Sequence, residues 1–235
     1  MALLGISVWA ASNNVTVPGL ADIWLAGQPP GTVLNGGYPT SDVVPTNSPV
    51  LASTGLNMTA GSFLTFSVTG TTDYGGCTSP SPDGAGACGV GPSGPAFGIA
   101  SFNGPLNSLI GVFVDNNVPG GTAPAGLDFS SAASQSQPTI SPLLNQVFFI
   151  GDGLTGTGSG SVQQFVIPAG ATRLFLGSFD GAGASFNNSG SFSVIVSDAA
   201  PVPAMPTVWL VIMSLFLVAI AAYALRRRSV LTSAA

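Results

Sequence analysis

The chain has 235 residues, of which only 6% are charged: four Arg, nine Asp, and no Lys, Glu or His. An ordinary soluble domain is about 25% charged. With no His, Glu or Lys to tune, acid–base catalysis near neutral pH loses its usual groups, as do Ser-His-Asp and Cys-His nucleophiles and His-containing zinc or haem sites. What the composition leaves is hard-cation chemistry on Asp, Asn and backbone oxygens, two-Asp glycosidase chemistry as a remote option, or no catalysis. The expectation is a protein that is not an enzyme. Residues 1–225 hold all nine Asp and a single Arg, Arg173, so nucleic acid, which needs clustered cations, is not expected as a partner.

Residues 1–13 read as a partial signal peptide. The stretch 2–10 is apolar with small residues after it, but no basic residue precedes it. Between this end and position 198, short runs alternate apolar and polar residues and are bounded by Gly, Pro, Asn and Asp. Strands are expected at 14–17, 63–69, 109–114, 146–150, 163–167, 172–179 and 190–196. Leu64, Phe66 and Val68 share one face, and so do Phe192, Val194 and Val196. Such period-two runs, without a convincing amphipathic helix, point to an all-β domain over residues 14–198, a β-sandwich or jelly roll.

Cys77 and Cys88 lie in a Gly/Ser/Pro loop without CxxC spacing. A disulfide in an oxidising compartment is the natural reading, against two unpaired thiols. The stretch 116–145 is Gly/Ala/Ser/Gln-rich and expected to be irregular. The Gly-rich run 151–160 lacks a Lys and a following helix, so it reads as a hairpin connection rather than a phosphate loop, with Asp152 a minor candidate for a second cation.

Residues 173–196 place two strands around a loop that opens on Asp180, bends through Gly181 and Gly183 and ends in Asn187-Asn188. Asp and Asn oxygens with a backbone carbonyl are donors of the kind Ca²⁺ takes; the competing reading is a plain turn.

The last 35 residues resemble the bacterial sorting signals of the PEP-CTERM and IPTL-CTERM type. The stiff run Pro201-Val202-Pro203-Ala204-Met205-Pro206 is followed by 18 uncharged residues, 208–225, and then by Arg226, Arg227 and Arg228. At 1.5 Å per residue the apolar stretch makes about 27 Å of helix, enough to span a membrane. The Arg triplet acts as a cytoplasmic stop signal and places the ectodomain outside. Met205-Pro206-Thr207-Val208-Trp209 is similar to the IPTL variant. The resemblance implies an exported, membrane-anchored or cell-surface protein, sorted through residues 201–228 by an exosortase-like protease.

A second resemblance lies in the ectodomain. Phe179-Asp180, Asn187-Asn188-Ser189-Gly190-Ser191-Phe192-Ser193-Val194, the preceding 166–172 run, and upstream 57–70 with Tyr74-Gly75 are similar to the PA-I galactophilic lectin family. That family has a galactose-binding-like β-sandwich, and here a large insertion would fall at about 116–160. The resemblance implies one Ca²⁺ held by the side chains of Asp180, Asn187 and Asn188 and the carbonyls of Tyr74 and Ala184, with Asp180 and Asn187 also meeting the carbohydrate. Ala184 stands where the family has Thr. The family's His and Gln sugar contacts, which would fall near Gly94 to Phe97, have no counterpart. The expected function is calcium-dependent glycan or polysaccharide binding at the cell surface; its rival is a structural surface protein whose loop or cation is only architectural.

Overall fold

In strand β5 (Phe63–Asp73) Leu64, Phe66 and Val68, and in strand β16 (Ser189–Ser197) Phe192, Val194 and Val196, are apolar residues at every second position, and this alternation decides which face of each strand is buried. The computed structural model describes residues 11–198. In chain order the other strands are β1 (Ser12–Pro18), β2 (Val33–Leu34), β3 (Asp42–Val43), β4 (Val50–Leu51), β6 (Val90–Ser93), β7 (Phe102–Pro105), β8 (Leu109–Val114), β9 (Leu127–Asp128), β10 (Thr139–Ile140), β11 (Val147–Phe149), β12 (Leu154–Gly156), β13 (Ser159–Val162), β14 (Gln164–Val166) and β15 (Arg173–Ser178). The sole α-helix among the described residues is the single turn α1 (Ala132–Gln135). The fold is all-β, and each of the seven expected strands is present. Ser12 and Asn13, expected in the N-terminal segment, already belong to β1.

Two sheets form the sandwich. One has the order β1-β16-β5-β14-β10 and the other β11-β8-β15-β4. The first sheet is one-sided: Leu64, Phe66, Val68, Phe165, Phe192, Val194 and Val196 face inward and are buried, while Ser67, Thr69, Ser191 and Ser193 face water. The second is buried on both faces, which is why 109–114 reads as a continuous apolar run rather than an alternating one. Phe66 meets Phe165 edge-on at 4.9 Å, Phe165 meets Phe148 across the sheets at 5.7 Å, and Phe148 stacks on Phe113 at 5.2 Å. Gly111 is required beneath Phe148, since a Cβ there would press on its ring. Each such buried ring contributes about 1.5–3 kcal/mol.

The far face of the second sheet is covered by the 3-10 turn Ile23–Leu25, against which Gly177 packs, and by Phe102 and Phe129. Trp24 donates its indole N–H to the Ala100 carbonyl at 3.0 Å. This covering layer also supports the loop that leaves β15: Asp22 caps the turn, and Phe179, at the end of β15, packs on Trp24 and Phe102.

Cys77 and Cys88 are joined in a disulfide. The stretch 116–145 has only β9, α1 and β10 as short regular pieces. The Gly-rich run 151–160, expected as a hairpin connection, does not join paired strands: β11 before it pairs with β8, β14 after it pairs with β5 and β10, and the segment forms a small hairpin of its own, β12 with β13. No helix among the described residues is long and apolar enough to cross a membrane. The expected span 208–225, the proline-rich spacer, Arg226, Arg227 and Arg228, and residues 1–10 of the expected export signal lie outside the described residues.

Candidate functional site

The loop from Asp180 to Asn188 joins β15 to β16 and is shaped by hydrogen bonds from residues far away in sequence. Gly183 donates its N–H to Asp22 Oδ2 at 2.8 Å, Ser185 donates to Asp42 Oδ2 at 2.8 Å, and Ala182 donates to Ser93 Oγ at 2.7 Å. Gly183 has φ +75°, and a Cβ on it would collide with the Gly36 nitrogen, so only glycine satisfies both the turn and the close approach of the β2–β3 hairpin. The loop ends in a 3-10 turn, Ser185–Asn187.

Beneath the loop lies a buried acid pair. Asp22 and Asp42 are 1% and 0% exposed. Asp22 also accepts the Trp24 N–H at 2.9 Å. Burial pushes the Asp22 carboxyl well above the usual carboxylate range, and its hydrogen bond to Asp42 raises it further. Burial raises Asp42 as well, opposed by the hydrogen bonds it accepts. Two adjacent carboxyls in a low-dielectric interior disfavour the doubly ionised state, and Asp42 Oδ1 is buried without a hydrogen-bond partner.

Above the loop is a cavity of about 430 Å³, walled by Tyr38, Tyr74 and Phe186, floored by Phe179 and Leu106, and edged by Ser93, Asp180 and Asn187. Tyr74 is held by its hydroxyl, which donates to the Cys88 carbonyl at 3.1 Å, so the disulfide loop fixes one wall. Asp73, at the end of β5, accepts the Gly76 N–H and the Thr78 hydroxyl, both at 2.7 Å, and fixes the turn after Tyr74; these bonds, Thr78 first, hold its carboxyl below the usual range.

Of the five residues the sequence singles out for a cation, Tyr74, Asp180, Ala184 and Asn187 line this one cavity. The β5–β16 register, Ser189 opposite Asp73, sets Asn188 beside Tyr74. Asn187 lies over Gly75, where any Cβ would strike its amide. Asn188 sits behind the cavity wall, 5% exposed, donating to the Gly19 carbonyl at 3.2 Å and touching the Asp180 carboxyl; its Oδ1 is buried without a partner. Burial raises the Asp180 carboxyl, opposed by the Gly181 N–H at 2.6 Å and by Asn188, while the charge of Asp42 raises it further.

The donor set is one carboxylate, two amides and two carbonyls, all hard oxygens of the kind Ca²⁺ takes, and the orphaned Asn188 oxygen fits a missing positive partner. Ala184 precedes the 3-10 turn, the position whose carbonyl accepts the first turn bond, so one lone pair remains for a ligand. Among the described residues no group of three or more His, Cys, Asp or Glu is arranged to hold a metal. A cation here would therefore depend on amides and carbonyls around a single carboxylate.

Asp152, the minor candidate, accepts the Leu154 N–H at 2.8 Å and the Gly158 N–H at 2.6 Å, one on each oxygen. Its role is to close the hairpin. Sequence reasoning missed Asp22, Asp42, Tyr38, Phe186 and Ser93. The bonds from Asp22 and Asp42 to the loop span 161 and 143 residues, and no local spacing announces them. Compared with family models, with curated proteins and with solved structures, the chain matches none of them.

Proposed function

We propose that this chain is an exported cell-surface protein whose β-sandwich is of the galactose-binding-like, jelly-roll kind and binds extracellular glycan or polysaccharide with the help of Ca²⁺, in adhesion or matrix attachment. The observation that supports it is the meeting of Tyr74, Asp180, Ala184 and Asn187 at one aromatic-walled cavity, with the buried, unpaired Asn188 oxygen behind them. Ca²⁺ would be held by Asp180, Asn187, Asn188 and the Tyr74 and Ala184 carbonyls, and when bound it would supply coordination for vicinal hydroxyls of a sugar. Asp180 and Asn187, on the cavity surface, are the protein groups placed to meet the same hydroxyls. With a single carboxylate the affinity belongs to the weak class of extracellular modules, about 10⁻⁴ to 10⁻³ M. The apolar stretch 208–225 and the Arg triplet would anchor the protein in a membrane, or an exosortase-like protease would process it there.

The rival reading, an architectural loop on a structural surface protein, draws on the same hydrogen bonds from Asp22, Asp42 and Ser93, which hold the loop without any cation. Calorimetric titration and melting of the chelator-treated protein separate the two. Millimolar Ca²⁺ should raise the melting temperature, Asp180→Asn should abolish that rise, and a bound sugar should add a further shift only when Ca²⁺ is present. A Ca²⁺ shift with no response to any sugar supports the architectural reading. No heat and no shift with Ca²⁺ removes the cation altogether.

A further inference from the structure

We propose that Tyr38 and Phe186 form a stacking platform that receives the C–H face of a saccharide in the cavity; this rests on the reading of the cavity as a glycan site. Tyr38 lies outside the stretches that resemble a lectin. Both line the cavity, with ring centroids 6.0 Å apart and planes inclined at 59°. Tyr38 is 54% exposed, at the tip of the hairpin between β2 and β3, where a large ring gains little from the fold itself.

The platform is held in place before any ligand arrives. Gly36, two residues before Tyr38, lies directly against the Ala182 and Gly183 carbonyls, where no side chain fits. Gly37 donates its N–H to Asn35 Oδ1 at 2.7 Å. Phe186 sits in the 3-10 turn that follows the Asp42–Ser185 hydrogen bond. Across the cavity the Tyr74 hydroxyl is tied to the Cys88 carbonyl. Rigid walls lower the ordering cost of binding, and a volume of about 430 Å³ is within the range of small-ligand clefts. A pyranose offers a C–H face for the rings and a hydroxyl edge for Asp180, Asn187 and Ser93.

The test uses the full chain with saturating Ca²⁺, titrated with methyl glycosides of neutral hexoses, for the wild type, Tyr38→Ala and Tyr38→Phe. A glycoside should bind, Tyr38→Ala should weaken it about five- to tenfold, in line with an aromatic contact, and Tyr38→Phe should bind as the wild type does. Unchanged melting of Tyr38→Ala checks that the fold is intact; should it drop, saturation transfer from the Tyr38 and Phe186 ring protons to the sugar's C–H face in the wild type decides instead, its absence overturning the proposal. Neutral glycosides binding equally to wild type and Tyr38→Ala would overturn the platform and leave the glycan reading standing. If no saccharide binds, the glycan reading falls and the platform with it.

Discussion

Two glycine-rich loops of this protein are each held by a pair of aspartates, with different results. At the β12–β13 hairpin, Asp83 accepts the Asp152 N–H and the Ser81 hydroxyl, and Asp152 accepts the Leu154 and Gly158 N–H groups, so each of the four carboxylate oxygens has a donor. At the 180–188 loop, Asp22 and Asp42 accept the Trp24, Gly183 and Ser185 N–H groups, but Asp42 Oδ1 remains buried with no donor. The first arrangement is a finished clamp. The second leaves a carboxyl oxygen unsatisfied in the interior, beneath a loop that lines a cavity. Satisfied carboxylates shape a turn; incompletely satisfied ones are where binding chemistry becomes available.

The largest expected effect contrasts two glycines of positive φ. Gly183, φ +75°, is pressed against the Gly36 backbone, whereas Gly158, φ +64°, has open space around it. Gly183→Ala adds about 1–2 kcal/mol of left-handed strain to about 1–3 kcal/mol of overpacking. Gly158→Ala should cost only about 1 kcal/mol. Denaturant melts of the two variants check this; equal losses would mean that the 180–188 loop is not held against the hairpin.

Reduction of the Cys77–Cys88 bond comes next, at about 3 kcal/mol on the chain-entropy estimate. The loop it closes contains Asp83, which bonds to Asp152, and the Cys88 carbonyl, which holds Tyr74. Hydrogen exchange after reduction should therefore quicken at both loops. Protection lost at one loop alone would show that they are independent.

Asp→Asn exchanges sharpen the contrast further. At Asp152 an amide must turn an NH₂ toward an N–H donor, costing about 1–3 kcal/mol. At Asp42 the new NH₂ can take the place of the unpaired Oδ1 and donate to Asp22, while the remaining oxygen keeps the Ser185 N–H. Asp42→Asn should melt within about 0.5 kcal/mol of the wild type. The smallest effect is on pH dependence. Asp22, Asp42, Asp83 and Asp180 are all raised, chiefly by burial. The fold then holds more protons than the open chain between the ordinary and the raised values, so stability falls as pH rises through that window and returns on acidification. Asp73 and Asp128 are lowered, mainly by the Thr78 and Ser130 hydrogen bonds, so their contribution is lost only below the ordinary carboxylate range. Melting without Ca²⁺ should thus improve from neutral pH down to about 4, the ordinary carboxylate range, and then decline. Asp42→Asn should flatten the improvement, and Ca²⁺ should reduce it by keeping Asp180 ionised. A flat profile in the wild type would mean that the acid pair is hydrated.

Most of the strand pattern was legible in the residues. Alternation in β5 and β16 and the continuous apolar run of β8 are written in neighbouring positions, because a strand's two faces repeat every second residue. The pairing of Cys77 with Cys88 was legible for the same reason: the two lie close in sequence. Short strands such as β4, β6 and β7 were not, since two to four residues carry too little periodicity to stand out from a loop. Of the cavity, Asp180 and Asn187 were visible as a local constellation, and Tyr74 and Ala184 through resemblance. Tyr38, in a Gly-Gly-Tyr-Pro turn, carried no sign that its ring would face Phe186.

By itself, then, the amino-acid sequence determined that residues 14–198 form an all-β domain and that the chain has almost no acid–base side chains at its disposal, because composition and period-two patterning are properties of the residues and their near neighbours. Only the tertiary structure decided that Asp22 and Asp42 share a buried site beneath the 180–188 loop, and that three aromatic rings from separate segments wall one cavity above it. Those choices depend on packing between elements up to 161 residues apart, which buries two carboxyls side by side and raises both, and which makes an exposed tyrosine one wall of a pocket.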